Sequence, residues 1–149
     1  MKTDYLQMSI HVLVPIILAG LMNAFIYMQG WNKESGSRVD NNNAFLPPGY
    51  VIAIVWIIIL GLLGYTHFLV YPSTASWVIV FAVLYCLAYP FLTSGLQTKN
   101  AFIYNLLSLI IALFVFGFVY SQNVYAAMFT IPFILWTLYV NIVTNLPKS

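Results

Sequence analysis

The sequence predicts an all-α integral membrane protein, a bundle of five transmembrane helices. Two observations carry this prediction. Of the 149 residues, 62% are hydrophobic and only 5% are charged, whereas a soluble domain carries about 25% charged residues. No charged residue occurs between Asp40 and Lys99, or between Lys99 and Lys148. Because a charge at the centre of a span costs about 2.5–3.5 kcal/mol, such runs indicate segments buried in lipid.

Five segments reach the length of about 20 mostly apolar residues that a bilayer-crossing helix needs. Within a single domain of residues 1–149, the predicted spans are residues 8–28, 47–70, 76–96, 101–120 and 125–143. The first is longer than the apolar region of a signal peptide and is followed by no A-x-A cleavage site, so we interpret it as a span. Pro47 and Pro48 suit the first turn of the second span, and Pro90 predicts a kink in the third.

The longest predicted connection, residues 29–46, has 18 residues and holds four of the eight charged residues. Loops of this length are usually lids, binding loops or disordered segments, and a flexible connector is the simplest interpretation. With five spans, this loop, the Lys99 loop and the C-terminus share one face and hold four Lys or Arg residues, against Lys2 alone on the other. The positive-inside rule therefore predicts a cytoplasmic loop and C-terminus and an outside N-terminus. The few charges and the lack of a targeting peptide suit a prokaryotic cytoplasmic membrane.

Several classes of function lack their usual residues. No Asp, Glu, Lys or Arg lies inside a predicted span, so proton relays and ion-coupled transport lack their groups. There is no Gly-rich phosphate loop and no helical His-Glu-x-x-His. A net charge of +2 does not suggest nucleic-acid binding, and Cys86, the only cysteine, allows no intrachain disulfide or thiolate cluster. We therefore predict no catalytic residue, no metal ligand and no required cofactor.

Two histidines occupy the ends of neighbouring spans. His11 lies near the start of the first and His67 near the end of the second, so antiparallel packing puts both near the extracytoplasmic face. A bis-histidine haem or metal site is one interpretation. The alternative, usual for lone interfacial histidines, is that each faces headgroups or water.

Two tryptophans lie deep in their spans, away from the interfacial belts where Trp and Tyr usually gather. Trp56 and Trp136 each lie at least seven residues from either end of the predicted span. A deep indole N–H must find a partner or stay unpaired, which favours the bundle interior or a ligand. An uncharged bundle with internal aromatic residues suits a flat, apolar ligand with a polar edge.

Small residues at helical spacing predict close helix contacts in lipid, either within one chain or between chains. The pairs are Gly20 and Ala24, Gly61 and Gly64, and Ser108 and Ala112.

The second and fifth spans carry two spaced motifs. In the second span, Trp56 follows the Pro47-Pro48 pair by eight residues, and Gly64-Tyr65 begins eight residues after Trp56. The fifth span has a Pro-x-x-Leu-Trp pattern, with Pro132, Leu135, Trp136, Tyr139 and Asn145. Both motifs resemble those of the translocator protein family, also called tryptophan-rich sensory proteins or peripheral-type benzodiazepine receptors.

The resemblance implies a five-helix bundle, often a homodimer, with a cavity beneath the first loop. In the family this cavity binds porphyrins, haem, sterols or benzodiazepine-like drugs, and tryptophans of helices two and five line it. An alignment anchored on Lys99-Asn100 extends the correspondence to helices three and four. The ligand-binding residues implied here are Trp56, Trp136, Pro47, Ile52, Phe91 and Ser108.

The chain also departs from the family pattern. The Trp common two residues before the Pro-Pro pair is Phe45, and the Trp-Tyr of the first loop has no counterpart. The Asn-x-x-Trp of helix three is replaced around Tyr89, and the acidic residue of helix four is Leu107. The sterol motif needs Lys or Arg within five residues after a Tyr. After Tyr139 the first cation is Lys148, so the motif is absent.

Three hypotheses for the function follow. The first is a membrane receptor or carrier-like protein for porphyrin, haem or similar flat hydrophobic ligands. The second is an enzyme that degrades porphyrin photo-oxidatively, with pocket tryptophans as redox partners, as some family members are thought to do. The third is an accessory membrane subunit without a small ligand.

Overall fold

A computed structural model describes residues 4–30, 49–92 and 102–144. These residues form six helices and no strand. The helices are α1 (Tyr5–Met28), α2 (Gly49–Val70), α3 (Thr74–Pro90), α4 (Phe102–Gln122), α5 (Val124–Met128) and α6 (Ile131–Thr144). Most of the predicted 29–46 loop, the Lys99 loop, Pro47 and Asn145 lie outside the described residues.

Local side-chain chemistry sets several helix ends. The Asp4 carboxylate accepts a hydrogen bond from the Gln7 backbone N–H at 3.1 Å and so caps the start of α1. At the other end of α1, Gly30 adopts a φ of 74°, and its N–H donates to the Tyr27 carbonyl. A left-handed residue of this kind is the usual glycine stop for a helix.

Four helical stretches are long and apolar enough to cross a membrane, so the chain is an all-α integral membrane protein. They are Tyr5–Met28, Val51–Val70, Phe102–Gln122 and Val124–Thr144. The third predicted span, residues 76–96, corresponds to α3, which has 17 residues and is therefore shorter. Pro90, where we predicted a kink, is the last residue of α3, and residues 93–96 lie outside the described part of the chain.

The fifth predicted span is built from two helices, with Phe129 and Thr130 between α5 and α6. Pro132 explains the interruption. It has no N–H to donate to the carbonyl four residues earlier, that of Met128, and its ring crowds this carbonyl. Just before this proline, the buried Thr130 hydroxyl and the Thr130 N–H both donate to the Ala127 carbonyl, at 2.7 Å and 3.0 Å, which closes the end of α5.

The helices pack as an antiparallel bundle in which α1 is peripheral. α2 contacts α1, α3 and α5, while α4 contacts α3, α5 and α6. The core is built from apolar residues of α2 to α6, whereas Pro15 and Ala19 are the buried residues of α1. Thus α1 covers one side of a bundle that the other helices form.

The predicted small-residue pairs fall into two groups. Gly61 and Gly64 lie at the α1–α2 crossing, where a Cβ on Gly61 would meet Ile16 Cδ1 at 3.1 Å. Ser108 and Ala112 are buried within the bundle. A Cβ on Gly20 would meet no described residue within 4 Å, so the Gly20–Ala24 face points away from the other described helices.

Candidate ligand-binding site

A hollow of about 260 Å³ lies between α1, α2 and α3, in the half of the bundle where α1 ends and α2 begins. Its walls are mostly apolar. The lining residues are Ala19, Met22, Asn23 and Ile26 of α1, Ile52, Ala53, Trp56, Ile57 and Leu60 of α2, and Cys86, Leu87, Tyr89 and Pro90 of α3.

Ile52 and Trp56 face the hollow together because residues four apart lie on one side of a helix. The Trp56 ring is held between two other aromatic rings. Its centroid lies 6.3 Å from that of Tyr89 at 34°, and 6.3 Å from that of Phe133 at 65°. These offset and edge-on arrangements are the favourable ones for aromatic pairs. The indole of Trp56 therefore forms a fixed, flat part of the wall.

The predicted site residues Phe91, Ser108 and Trp136 are not among the residues that line the hollow. Phe91 follows Pro90, and its ring packs on Phe25 of α1 at 5.6 Å, beside the hollow. Ser108 is buried and donates to the Tyr104 carbonyl at 2.8 Å. Pro47 lies outside the described residues.

Trp136 lies on α6, one turn after Phe133, which contacts Trp56. Its ring stacks on Tyr139, with centroids 5.6 Å apart. Its indole N–H is buried and has no acceptor among the residues that the structure describes. A buried donor of this kind costs about 1–3 kcal/mol unless something accepts its hydrogen bond. Trp136 is thus inside the bundle, with an unused donor, but separated from the hollow.

Sequence reasoning missed a polar network behind the hollow. The Tyr89 hydroxyl donates to Asn105 Oδ1, and Asn141 Nδ2 donates to the Asn105 carbonyl at 2.8 Å. The neighbouring Tyr85 hydroxyl donates to the Tyr104 carbonyl at 2.6 Å. This network ties α3 to α4 and α4 to α6. The signal was present, since Asn105 and Asn141 are amides in otherwise apolar spans, where polar residues usually pair.

The wall of the hollow also has a polar point. Asn23 of α1 contributes a side-chain amide to it, whereas the Tyr89 hydroxyl already donates to Asn105 Oδ1 behind the hollow. A flat molecule with a polar edge matches such a lining, since ligand sites are typically apolar with a few placed polar groups.

A second depression, of about 480 Å³, runs along the outer face of α4. Its lining residues, among them Ile110, Phe114 and Gly117, all belong to this one helix. A ligand there would be covered on one side only, so this depression is a lipid-facing surface groove and the hollow is the better candidate site.

Comparison with known proteins gives one match. A family model described as the TspO/MBR family matches residues 11–145. The matched segment extends from His11 in α1 past the end of α6, so it includes the whole hollow and both deep tryptophans. No curated protein and no solved structure matches the chain.

Proposed function

Since this chain belongs to the TspO/MBR family, whose members bind hydrophobic ligands in the membrane, we propose that it is a membrane receptor for a flat hydrophobic molecule, with porphyrin or haem as the leading candidates. One observation carries the proposal. Trp56 presents its ring to a hollow of about 260 Å³ between three apolar helices.

The lining of the hollow suits a flat ring system. A planar ligand stacks on the Trp56 indole, and an aromatic pair contributes about 0.5–1.5 kcal/mol beyond the area it buries. The Asn23 amide provides a polar point for a carboxylate, carbonyl or amine group at the ligand's edge. Benzodiazepine-like drugs share this chemistry and are a second class of ligand to test.

The hollow is smaller than most ligand pockets, so a large ligand needs it to widen. Ligand pockets usually measure roughly 300–1,000 Å³, so about 260 Å³ holds only part of a large macrocycle. We propose that the end of α1 beside the hollow moves outward to admit it, because Pro15 and Ala19 are the only buried residues of the described α1 helix. In the widened form, Phe91, Ser108, Trp136 and Pro47 are the further ligand contacts that the family resemblance predicts. The unused Trp136 N–H is the donor we expect such a ligand to engage.

The test is a titration of the purified full chain with protoporphyrin, followed by the absorbance of the porphyrin. Absorbance is preferred because replacing a tryptophan also removes a fluorophore. Trp56→Phe and Trp136→Phe are compared with Trp77→Phe, a matched control whose ring is 71% exposed at the start of α3. We expect Trp56→Phe to weaken binding at least several-fold and Trp77→Phe to leave it unchanged.

Illumination separates binding from degradation. If the enzyme hypothesis holds, the bound porphyrin bleaches in the light, and bleaching stops in the Trp56 or Trp136 variant. Stable pigment in light and dark supports a receptor. If the wild-type chain does not change the porphyrin spectrum at all, the receptor proposal fails and the accessory-subunit hypothesis is favoured.

We also propose that α3 is the third of five spans. Its 17 residues give a length of about 26 Å, close to the hydrocarbon thickness of about 30 Å. It lies against α2 and α4, both long enough to span. Five spans put the termini on opposite faces, and the Lys and Arg distribution favours a cytoplasmic C-terminus. Reporter fusions at each terminus, in a prokaryotic cytoplasmic membrane, test this orientation.

The homodimer implied by the family also stays a proposal. The outward Gly20–Ala24 face of α1 is a surface on which a second copy could pack closely. Cross-linking through a cysteine introduced at position 20 or 24, in a Cys86→Ala background, tests it.

A further inference from the structure

The two histidines meet at the end of the bundle opposite the hollow. His11 of α1 and His67 of α2 have their Nδ1 atoms 2.7 Å apart, and their ring centroids are separated by 4.8 Å. Both side chains are half-buried. In the resting pair one Nδ1–H donates to the other Nδ1, so both nitrogens point at a common position.

The surrounding helices hold this pair in place. Gly64 lies one turn before His67 and allows the α2 backbone to reach the α1 backbone at His11 and Val12. Tyr71 lies one turn after His67, with its ring centroid 5.9 Å from that of His11 and 5.6 Å from that of His67. Phe68 packs edge-on against His11. The imidazoles therefore face each other because the helix crossing and an aromatic wall orient them.

We propose that His11 and His67 form a binding site for one transition-metal ion that prefers imidazole ligands, Zn²⁺ or Cu²⁺. Neutral imidazole is the commonest protein ligand of such ions, through either ring nitrogen. In the metal-bound form, both Nδ1 atoms coordinate and both rings carry their proton on Nε2. The metal replaces the proton that bridges the pair.

The geometry requires only a small adjustment. Two nitrogens on a tetrahedral Zn²⁺, at about 2.0–2.1 Å each, lie roughly 3.4 Å apart. The Nδ1 atoms, now at 2.7 Å, must therefore separate by about 0.7 Å, within the reach of side-chain rotation. No group of three or more His, Cys, Asp or Glu residues forms within the described ranges. Water then completes the coordination, which makes this an open site.

A haem does not fit the same pair. Its macrocycle would have to pass between the two imidazoles, where the α1 and α2 backbones are in contact at His11 and Gly64. Of the two interpretations of a bis-histidine site, the structure therefore favours the metal ion. Ca²⁺ and Mg²⁺ prefer oxygen ligands, so a site made of two imidazole nitrogens does not suit them.

The experiment uses the purified full chain without a polyhistidine tag. Zn²⁺ or Cu²⁺ is added, free metal is removed by gel filtration, and the retained metal is counted per chain by elemental analysis. We expect one ion per chain, and at least a tenfold loss of affinity in His11→Asn and in His67→Asn. Trp77→Phe, which changes an exposed ring at the start of α3, should bind as the wild type does. Mg²⁺ and Ca²⁺ should not be retained.

A spectroscopic measurement keeps the proposal testable if a variant folds poorly. The electron paramagnetic resonance spectrum of the Cu²⁺-loaded wild type should show coupling to two imidazole nitrogens. Three results would overturn the proposal. They are coupling to fewer than two imidazole nitrogens, no retained ion, or equal binding by the wild type and both Asn variants. The last result would point to another ligand, such as the N-terminal amine. The site is separate from the hollow, so failure here leaves the proposed function untouched.

Discussion

Gly64 lies so close to His11 that a Cβ added to it would stand 2.9 Å from the His11 carbonyl carbon and 3.0 Å from Val12 Cα. The carbonyl concerned is the one that Pro15, four residues later, cannot reach with an N–H. Pro15 therefore gives the His11 carbonyl oxygen no hydrogen bond within the helix. Gly64, which has no side chain, lets the α2 backbone come close to this oxygen.

This contact predicts that Gly64→Ala destabilises the bundle. The methyl group has no room between two backbones, and overpacking of this kind costs about 1–3 kcal/mol. Gly117→Ala is the matched control, because a Cβ there meets nothing within 4 Å. The midpoint of detergent-induced unfolding, followed by circular dichroism, measures both. Equal midpoints for the two variants would show that α1 does not pack on Gly64.

Asn141→Leu should weaken the link between α4 and α6. The Asn141 amide donates to the Asn105 carbonyl at 2.8 Å and to the Thr137 carbonyl at 2.7 Å. Hydrogen bonds between membrane helices contribute about 0.6 kcal/mol on average and up to about 1.7, so a loss in this range is expected. Thr144→Val is the control, since its hydroxyl bonds within α6 at an exposed position. An unfolding midpoint unchanged by Asn141→Leu would contradict the prediction.

Ala53→Phe should fill the hollow and block the ligand. Ala53 lies in the wall of the hollow, whereas its neighbour Ile54 is 53% exposed on the outer face of α2. We expect the apparent Kd for protoporphyrin to rise at least about tenfold in Ala53→Phe, a loss of about 1.4 kcal/mol of binding free energy. Ile54→Phe should bind as the wild type does. Equal affinity of both variants would place the ligand elsewhere.

Asn123→Ala should loosen the start of α5. The Asn123 side chain accepts a hydrogen bond from the Ala126 N–H at 3.1 Å. Loss of such an N-cap costs about 0.5–2 kcal/mol. Asn123→Asp keeps the acceptor and should remain near wild-type stability, as judged by the same unfolding midpoint. A stable Ala variant would mean that neighbouring packing, and not the cap, holds this turn.

The sequence predicted the helical class, the membrane location and the family, and the family match over residues 11–145 confirms the resemblance. It also predicted that Trp56 lies within the bundle. These predictions depend on composition, depth and spacing, which are local properties that a single chain displays directly.

The sequence did not predict which face of each helix points into the bundle. In a soluble protein a polar face indicates the outside of a helix, but in lipid both faces are apolar. Gly20 and Gly64 therefore look alike in sequence, although Gly64 touches α1 and Gly20 meets nothing. The same ambiguity applies to Trp136, which the family resemblance assigned to the cavity together with Trp56 but which is not among the residues that line the hollow.

The sequence also did not predict which prolines interrupt a helix. Pro15 lies inside a continuous α1, whereas Pro132 accompanies a break between α5 and α6. Neighbouring helices can satisfy the groups that a proline frees, so the outcome depends on tertiary contacts. The Tyr89–Asn105–Asn141 network, which joins three helices, was beyond prediction for the same reason.

The peripheral position of α1 also determines how affinity has to be measured. The hollow lies directly behind this helix, so the ligand of the proposed function, when dissolved in the bilayer, would reach the hollow without crossing water. Its binding would then depend on its mole fraction in the membrane phase. A dissociation constant expressed per litre of buffer will drift with the lipid-to-protein ratio, whereas one expressed per mole of lipid will not.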